Sequence, residues 1–264
     1  MTSWHLGTMG FSYEGWRGVF YPEDVAPRSY LAHYSQVLDA VEIDSTFYGS
    51  PRQSTVKRWA AQTPADFQIC PKTPRQITHE QQLSLEAGAG EAMDRFLQTV
   101  RLLGGRLGPV LVQLPPSFTA AASNKLETFL AHLPPDLRYA VEFRDSSWYT
   151  PETVALLSER GVAWVALDYL ALPKEIHLTA DFLYIRWIGT HGRFPTQDRE
   201  YLDPSPRLAW WWEQLQPHLA QVRSVYGFFN DDYAGHSPAT CNRFKAMAGL
   251  PVNRPEIPQQ GSLF

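Results

Sequence analysis

This chain is short of cysteine, of long hydrophobic runs and of basic excess, and each shortage excludes something. Cys70 and Cys241, its two cysteines, stand far apart and in no metal-ligand or redox spacing. They read as reduced packing residues, which fits a cytoplasmic protein. No segment reaches the roughly 18 apolar residues of a membrane span. The opening Met1-Thr2-Ser3-Trp4-His5 lacks a basic region followed by a long apolar one. Neither membrane insertion nor secretion is therefore expected. A net charge of −4 argues against a protein that coats nucleic acid through a broad basic face, although a local basic pocket is compatible with it. With no Gly-x-Ser-x-Gly segment and both cysteines inside predicted elements, a nucleophilic Ser or Cys triad finds no support.

What is present is a regular alternation of strand-like and helix-like runs over 264 residues, 44% of them hydrophobic. Strands are predicted at Leu6 to Gly10, Ala40 to Phe47, Phe67 to Lys72, Val110 to Leu114, around Tyr139 to Phe143, and at Val162 to Asp168, Phe182 to Trp187 and Val225 to Phe229. Helices are predicted between them, for example where Tyr30, Leu31, Tyr34, Val37 and Leu38 recur at three-to-four spacing. Eight such units point to an α/β fold: a closed, parallel, eight-stranded TIM-type barrel in one domain over residues 1–250. Residues 251–264, with Pro251, Pro255 and Pro258 and few apolar side chains, are expected to form a separate extended tail.

Ala140 to Trp148 is the most informative stretch. It begins as a buried strand and ends in charge, and alternation puts Glu142 and Arg144 on one face, Val141 and Phe143 on the other. Other strand ends repeat the pattern: Glu42 and Asp44 on the second, Lys72 on the third, Gln113 on the fourth, Asp168 on the sixth, Arg186 on the seventh, and Asn230 with Asp231 after the eighth. Helices cover the outer face of such a barrel, so these side chains are expected to look into the lumen or sit at its top, where barrel enzymes act. Trp16, Phe47, Tyr48, Trp148, Trp187 and Phe229 are expected at the same rim, as flat surfaces for a sugar or a nucleobase.

Phosphate sites in these barrels favour the loops after strands seven and eight. Gly189-Thr190-His191-Gly192-Arg193 and Gly235-His236-Ser237-Pro238 occupy those places, so a phosphate cradle is expected there. Two other chemistries compete for the same positions. A two-carboxylate glycosidase could draw on Glu42, Asp44, Glu142 and Asp168, but Gln113 and Arg186 are unlike the strand ends of such enzymes. A multi-metal hydrolase would need more than His79, His191 and His236, which leaves one divalent metal ion on the carboxylates as the open cofactor question.

The chain resembles the YecE-like family, domain of unknown function seventy-two. The resemblance rests on Gly7-Thr8-Met9-Gly10-Phe11-Ser12-Tyr13 with Trp16 and Phe20-Tyr21-Pro22; on Val41 to Tyr48; on Lys72 with Ile77-Thr78-His79; on Gln113-Leu114-Pro115-Pro116-Ser117-Phe118; on Val141 to Arg144 with Trp148; on Arg186-Trp187 with Gly189; and on Phe229-Asn230. It implies a TIM-barrel-like fold and no settled activity, with a likeness in shape to metal-dependent apurinic endonucleases and sugar isomerases as analogy. The chain departs from the family pattern at Asp44 and Asp231, where Asn is usual or frequent, and at Ile188, where a His is common.

The final Gln260-Gly261-Ser262-Leu263-Phe264 resembles the Gln-x-x-Leu-Phe peptide that docks on the bacterial DNA sliding clamp, with Gln260, Leu263 and Phe264 as anchors. The leading expectation is an enzyme of hydrolase or lyase type acting on nucleic acid or another phosphate-bearing substrate. Lys72, Arg144 and Arg186 would hold phosphate oxygens. Glu142 would serve as general base or metal ligand, with Asp168, Asp44 and Glu42 as further carboxylates, and Gln113, His79, Asn230, Asp231, Trp16, Tyr48, Trp148, Trp187 and Gly189 would line the substrate. A carbohydrate or phosphosugar isomerase, lyase or hydrolase, and a non-catalytic adaptor recruited by its tail, are the alternatives.

Overall fold

The structure is a computed structural model that describes residues 2–169 and 172–253. Eight parallel strands form a nearly closed barrel: β1 (Ser3–Met9), β2 (Ala40–Ile43), β3 (Gln68–Pro71), β4 (Val110–Gln113), β5 (Tyr139–Glu142), β6 (Ala163–Asp168), β7 (Phe182–Trp187) and β8 (Ser224–Phe229). The sheet runs β3-β2-β1-β8-β7-β6-β5-β4, and single bridges, Ile69 with Leu107 and Lys72 with Leu111, join β3 to the side of β4. Helices α1 (Tyr30–Tyr34), α2 (Gln53–Gln62), α3 (Ala89–Val100), α4 (Ser123–His132), α5 (Pro151–Glu159), α6 (Ser205–Leu215), α7 (Asp231–Ala234) and α8 (Ser237–Met247) follow the strands. None of the described helices is long and apolar enough to cross a membrane. Gln260, Leu263 and Phe264 lie outside the described residues.

Period-two alternation sorts the strand side chains into two compartments. Met9, Ala40, Cys70, Leu111, Ala140, Val165, Leu167, Phe182, Tyr184, Tyr226 and Phe228 pack together inside the barrel. Val41, Ile43, Ile185, Trp187, Val225 and Phe229 belong to one outer core under the helices, and Val112, Val141, Phe143 and Trp164 to another. Both cysteines are free and buried, Cys70 in the lumen and Cys241 on α8.

The second strand is shorter than its apolar run suggests. β2 ends at Ile43, and Asp44–Tyr48 turns into a 3-10 helix. Thr46 causes the change. Its hydroxyl lies 2.7 Å from the Ile43 carbonyl and 2.6 Å from the Lys72 carbonyl, and it accepts from the Lys72 amide at 3.0 Å. A side chain that competes for backbone groups in this way ends a strand and starts a turn. It also fixes the spacing between the ends of β2 and β3, where Asp44 and Lys72 stand.

Candidate functional site

Glu42, Gln113, Glu142 and Arg186 each stand two residues along their strand from a lumen side chain: Ala40, Leu111, Ala140 and Tyr184 respectively. Lys72 follows Cys70 by the same step. These positions converge at the carboxyl ends of the strands, where the polar part of the lumen begins. Arg186 is its centre: Nη2 donates to Glu42 Oε1 at 2.6 Å and Nη1 donates to Glu142 Oε2. Tyr184 Oη donates to Glu42 Oε2 at 2.7 Å, and Arg144 Nε donates to Glu142 Oε1. Charged groups this deeply buried persist when paired and hydrogen-bonded, as here.

The two buried glutamates titrate in opposite directions. Burial pushes Glu42 up to about 7; Arg186 opposes the rise and Asp44 adds to it. Burial also resists ionisation of Glu142, but Arg144, Arg186 and Lys72 outweigh it and hold this carboxyl down at about 2. Glu142 is therefore held as a fixed counter-ion, whereas Glu42 is the buried carboxyl whose range lies near neutrality.

Above this network lies the part that solvent reaches. Lys72 Nζ stands 3.6 Å from Asp44 Oδ1 and 4.4 Å from the centre of the Phe47 ring. Arg144 lies over Tyr169, 4.5 Å from its ring centre. His79 packs edge-on against Phe47 at 4.9 Å, and burial, then the charges of Lys72, Arg75 and Arg144, pull its imidazole below its usual range. Three cations thus surround one histidine on the β3 and β5 side. Tyr48 is 86% exposed, so its ring is a free flat face at this rim. Thr46, Tyr184, Tyr169 and Arg75 were not among the expected site residues. Parity could have found Tyr184, two residues before Arg186 on its strand; the others depend on loop geometry.

Several expected site residues lie elsewhere. Asp168 does not face the lumen: it shares the outer parity of Trp164 and Ala166, accepting from Arg207 Nη2 at 2.6 Å, Trp211 Nε1 at 2.9 Å and Tyr233 Oη at 2.9 Å. It pins α6 and α7 to the barrel. The rim aromatics are corrected likewise. Trp187 stacks on Phe229 at 4.2 Å in the outer core, and Trp148 stacks on Phe143 and donates to the Phe118 carbonyl. Trp16 is fully buried with its indole N–H on Asp231. None of the three presents a face for stacking.

The expected phosphate cradle is filled by the protein's own acids. Asp231 Oδ1 accepts from the Ser237 amide and hydroxyl, both at 2.7 Å, and so caps α8. Asp232 accepts from the Gly192 amide at 3.1 Å and meets His191 Nδ1 at 3.1 Å. Asn230 caps α7 through the Asp232 amide at 2.8 Å. Gly189 serves close packing: a Cβ there would lie 2.2 Å from the Asp232 carbonyl oxygen, and its φ is +79°.

Nor does the donor set suit a divalent cation. The Arg186 guanidinium stands between Glu42 and Glu142, where a shared metal would have to sit. Among the described residues no three His, Cys, Asp or Glu side chains are grouped to hold a metal.

Comparison with known proteins agrees with this architecture. The chain is 29% identical to the UPF0759 protein YecE of Escherichia coli K12 over 89% of its own length and 92% of that protein's. A DUF72 family protein of Thermotoga maritima MSB8 superposes with a TM-score of 0.80 at 30% identity, covering 94% of this chain and 99% of the other. Another from Enterococcus faecalis V583 does so with a TM-score of 0.76 at 20% identity, over 95% and 99%. Residues 5–262 match the family described as "Protein of unknown function DUF72", and with that match over nearly its whole length the chain belongs to the DUF72 family.

Proposed function

We propose that the barrel mouth binds a phosphate-bearing ligand with a flat ring attached, nucleic acid or a fragment of it being the best fit, and that it acts as a hydrolase or lyase. One observation carries this reading. Arg144 is anchored through Nε to Glu142, yet its two terminal guanidinium nitrogens have no hydrogen-bond partner among the described residues, and it lies just past the end of β5, where its charge and those of Lys72 and Arg75 act together on His79. A guanidinium held rigidly by one edge presents its other donors as a fork that matches phosphate oxygens. Arg186, by contrast, is spent on Glu42 and Glu142 and orients the site. Tyr48 and Phe47 supply ring surface next to the cations.

Fluorescence anisotropy of short single- and double-stranded DNA and RNA, over a salt series, tests this reading with wild type and Arg144→Ala. Binding that weakens as salt rises and is lost in the variant supports it. No binding at low salt overturns the nucleic-acid reading and directs the search to phosphosugars.

A further inference from the structure

We propose that Lys72 is a carbonyl-reactive amine, and that the ligand of the mouth is a phosphate-bearing aldehyde or ketone held as a Schiff base on its Nζ. The phosphate part of this proposal rests on the reading of Arg144 given above; the amine chemistry stands on its own geometry.

Lys72 follows directly on β3 at the catalytic end of the barrel, and its side chain is 11% exposed. Its backbone is clamped on both sides by Thr46 Oγ1, so the position of Cα is fixed. Nζ forms no hydrogen bond among the described residues; its carboxylate neighbour, Asp44 Oδ1, is at 3.6 Å, beyond bonding range. The other lysines differ. Lys245 Nζ is bonded to Asp39 at 2.8 Å, and Lys57, Lys125 and Lys174 are exposed. Lys72 alone combines a sheltered site at the strand ends, an amine with no hydrogen-bond partner among the described residues, and a carboxylate at 3.6 Å that a small side-chain rotation brings into bonding range. Burial, helped by the Arg186 charge, lowers the ammonium from its ordinary range despite Asp44, which raises the share of neutral amine.

The step balances with no further reagent. Asp44 takes one proton from the Lys72 ammonium; the amine nitrogen attacks the carbonyl carbon, a C–N bond forms and the π pair moves to oxygen, and the proton that the now cationic nitrogen sheds passes to that oxygen, giving a neutral carbinolamine. Asp44 returns a proton to the hydroxyl, the C–O bond breaks and water leaves, so that ammonium plus carbonyl becomes iminium plus water. The cationic iminium then draws electrons from the neighbouring C–H or C–C bond, which is the start of a lyase reaction.

Borohydride trapping tests the assignment on the full chain. Three probes are used: glyceraldehyde 3-phosphate, unphosphorylated glyceraldehyde, and an oligonucleotide carrying an abasic sugar aldehyde. Hydride reduction fixes any iminium as a stable secondary amine, which peptide mapping locates. The expected result is one adduct, on Lys72, absent in Lys72→Arg, with Arg144→Ala reducing the yield from the phosphate-bearing probes about tenfold more than that from unphosphorylated glyceraldehyde. Circular dichroism of each variant checks folding, and the wild-type trapping rate should keep rising at pH values below those at which a free lysine reacts. Label spread over Lys57, Lys125 and Lys174 without preference for Lys72 overturns the amine proposal, even where oligonucleotide binding persists. A Lys72 adduct indifferent to phosphate and to Arg144 upholds the amine and overturns the phosphate reading. Trapping of the oligonucleotide alone, or of the free sugar phosphate alone, identifies the source of the aldehyde.

Discussion

Arg186 Nη2 donates to Glu42 Oε1 at 2.6 Å inside the barrel, tying the seventh strand to the second across the lumen. The same guanidinium reaches Glu142 through Nη1, yet it does not treat its two partners alike. Lys72 acts on both, but Glu142 has Arg144 as an additional cation, whereas Glu42 has Asp44 beside it. One arginine therefore holds one carboxylate firmly ionised and leaves the other near the middle of its titration at neutral pH. A strand-end network of this kind fixes the geometry of the mouth and keeps an acid–base group beneath it.

Glu142→Gln leaves Arg186 and Arg144 without their shared counter-ion, and should destabilise the protein by about 3–5 kcal/mol at neutral pH. The sign of its pH dependence follows from a folded-state value of about 2 against an ordinary 4.5. The stability this group contributes is complete above 4.5 and is lost as pH falls toward 2. Denaturant titrations of wild type and variant should therefore converge as pH drops through that window.

Asp231→Asn should behave in the opposite sense. Burial raises the Asp231 carboxyl from 3.8 to about 6, against the pull of Ser237 and Trp16. Ionising it costs the folded state more than the unfolded one, so this group's contribution declines as pH rises between those values and stays low above them. The Asn variant keeps an oxygen for Ser237 and lacks that decline. Denaturant titrations across the range should show the variant gaining on wild type, by about 3 kcal/mol, between acid and neutral pH.

Asp168→Ala separates structure from site. Loss of the carboxylate strands Arg207, Trp211 and Tyr233 and loosens α6 against the barrel. The expected outcome is a loss of about 3–5 kcal/mol in stability. Oligonucleotide affinity, measured at a temperature where the variant is folded, should match wild type.

Removal of Gln260 to Phe264 tests the proposed sliding-clamp contact. Full-length protein should retain the clamp in a pull-down and the truncated chain should lose it, with anisotropy of oligonucleotide binding the same in both. Full-length protein that fails to retain the clamp ends the proposal.

Alternation of strands with helices carried the fold, because eight period-two segments separated by helical ones admit few closed arrangements. The nearness of Glu142 and Arg144 was also readable, since the two are two residues apart at a strand end; β5 stops at Glu142, and Arg144 folds back onto it from the loop. Tertiary structure decided the remainder. Asp168 and Trp187 end strands just as Glu142 does, but the phase of each strand relative to the lumen turns them outward, and phase depends on register against neighbours far away in the chain. Asp231 and Asp232 sit beside glycine-rich loops that read as anion sites; only the folded loops show that those amides already have acidic partners. The opposite titration of Glu42 and Glu142 is likewise invisible in sequence, because it is set by which cations four other strands and loops deliver to each carboxylate.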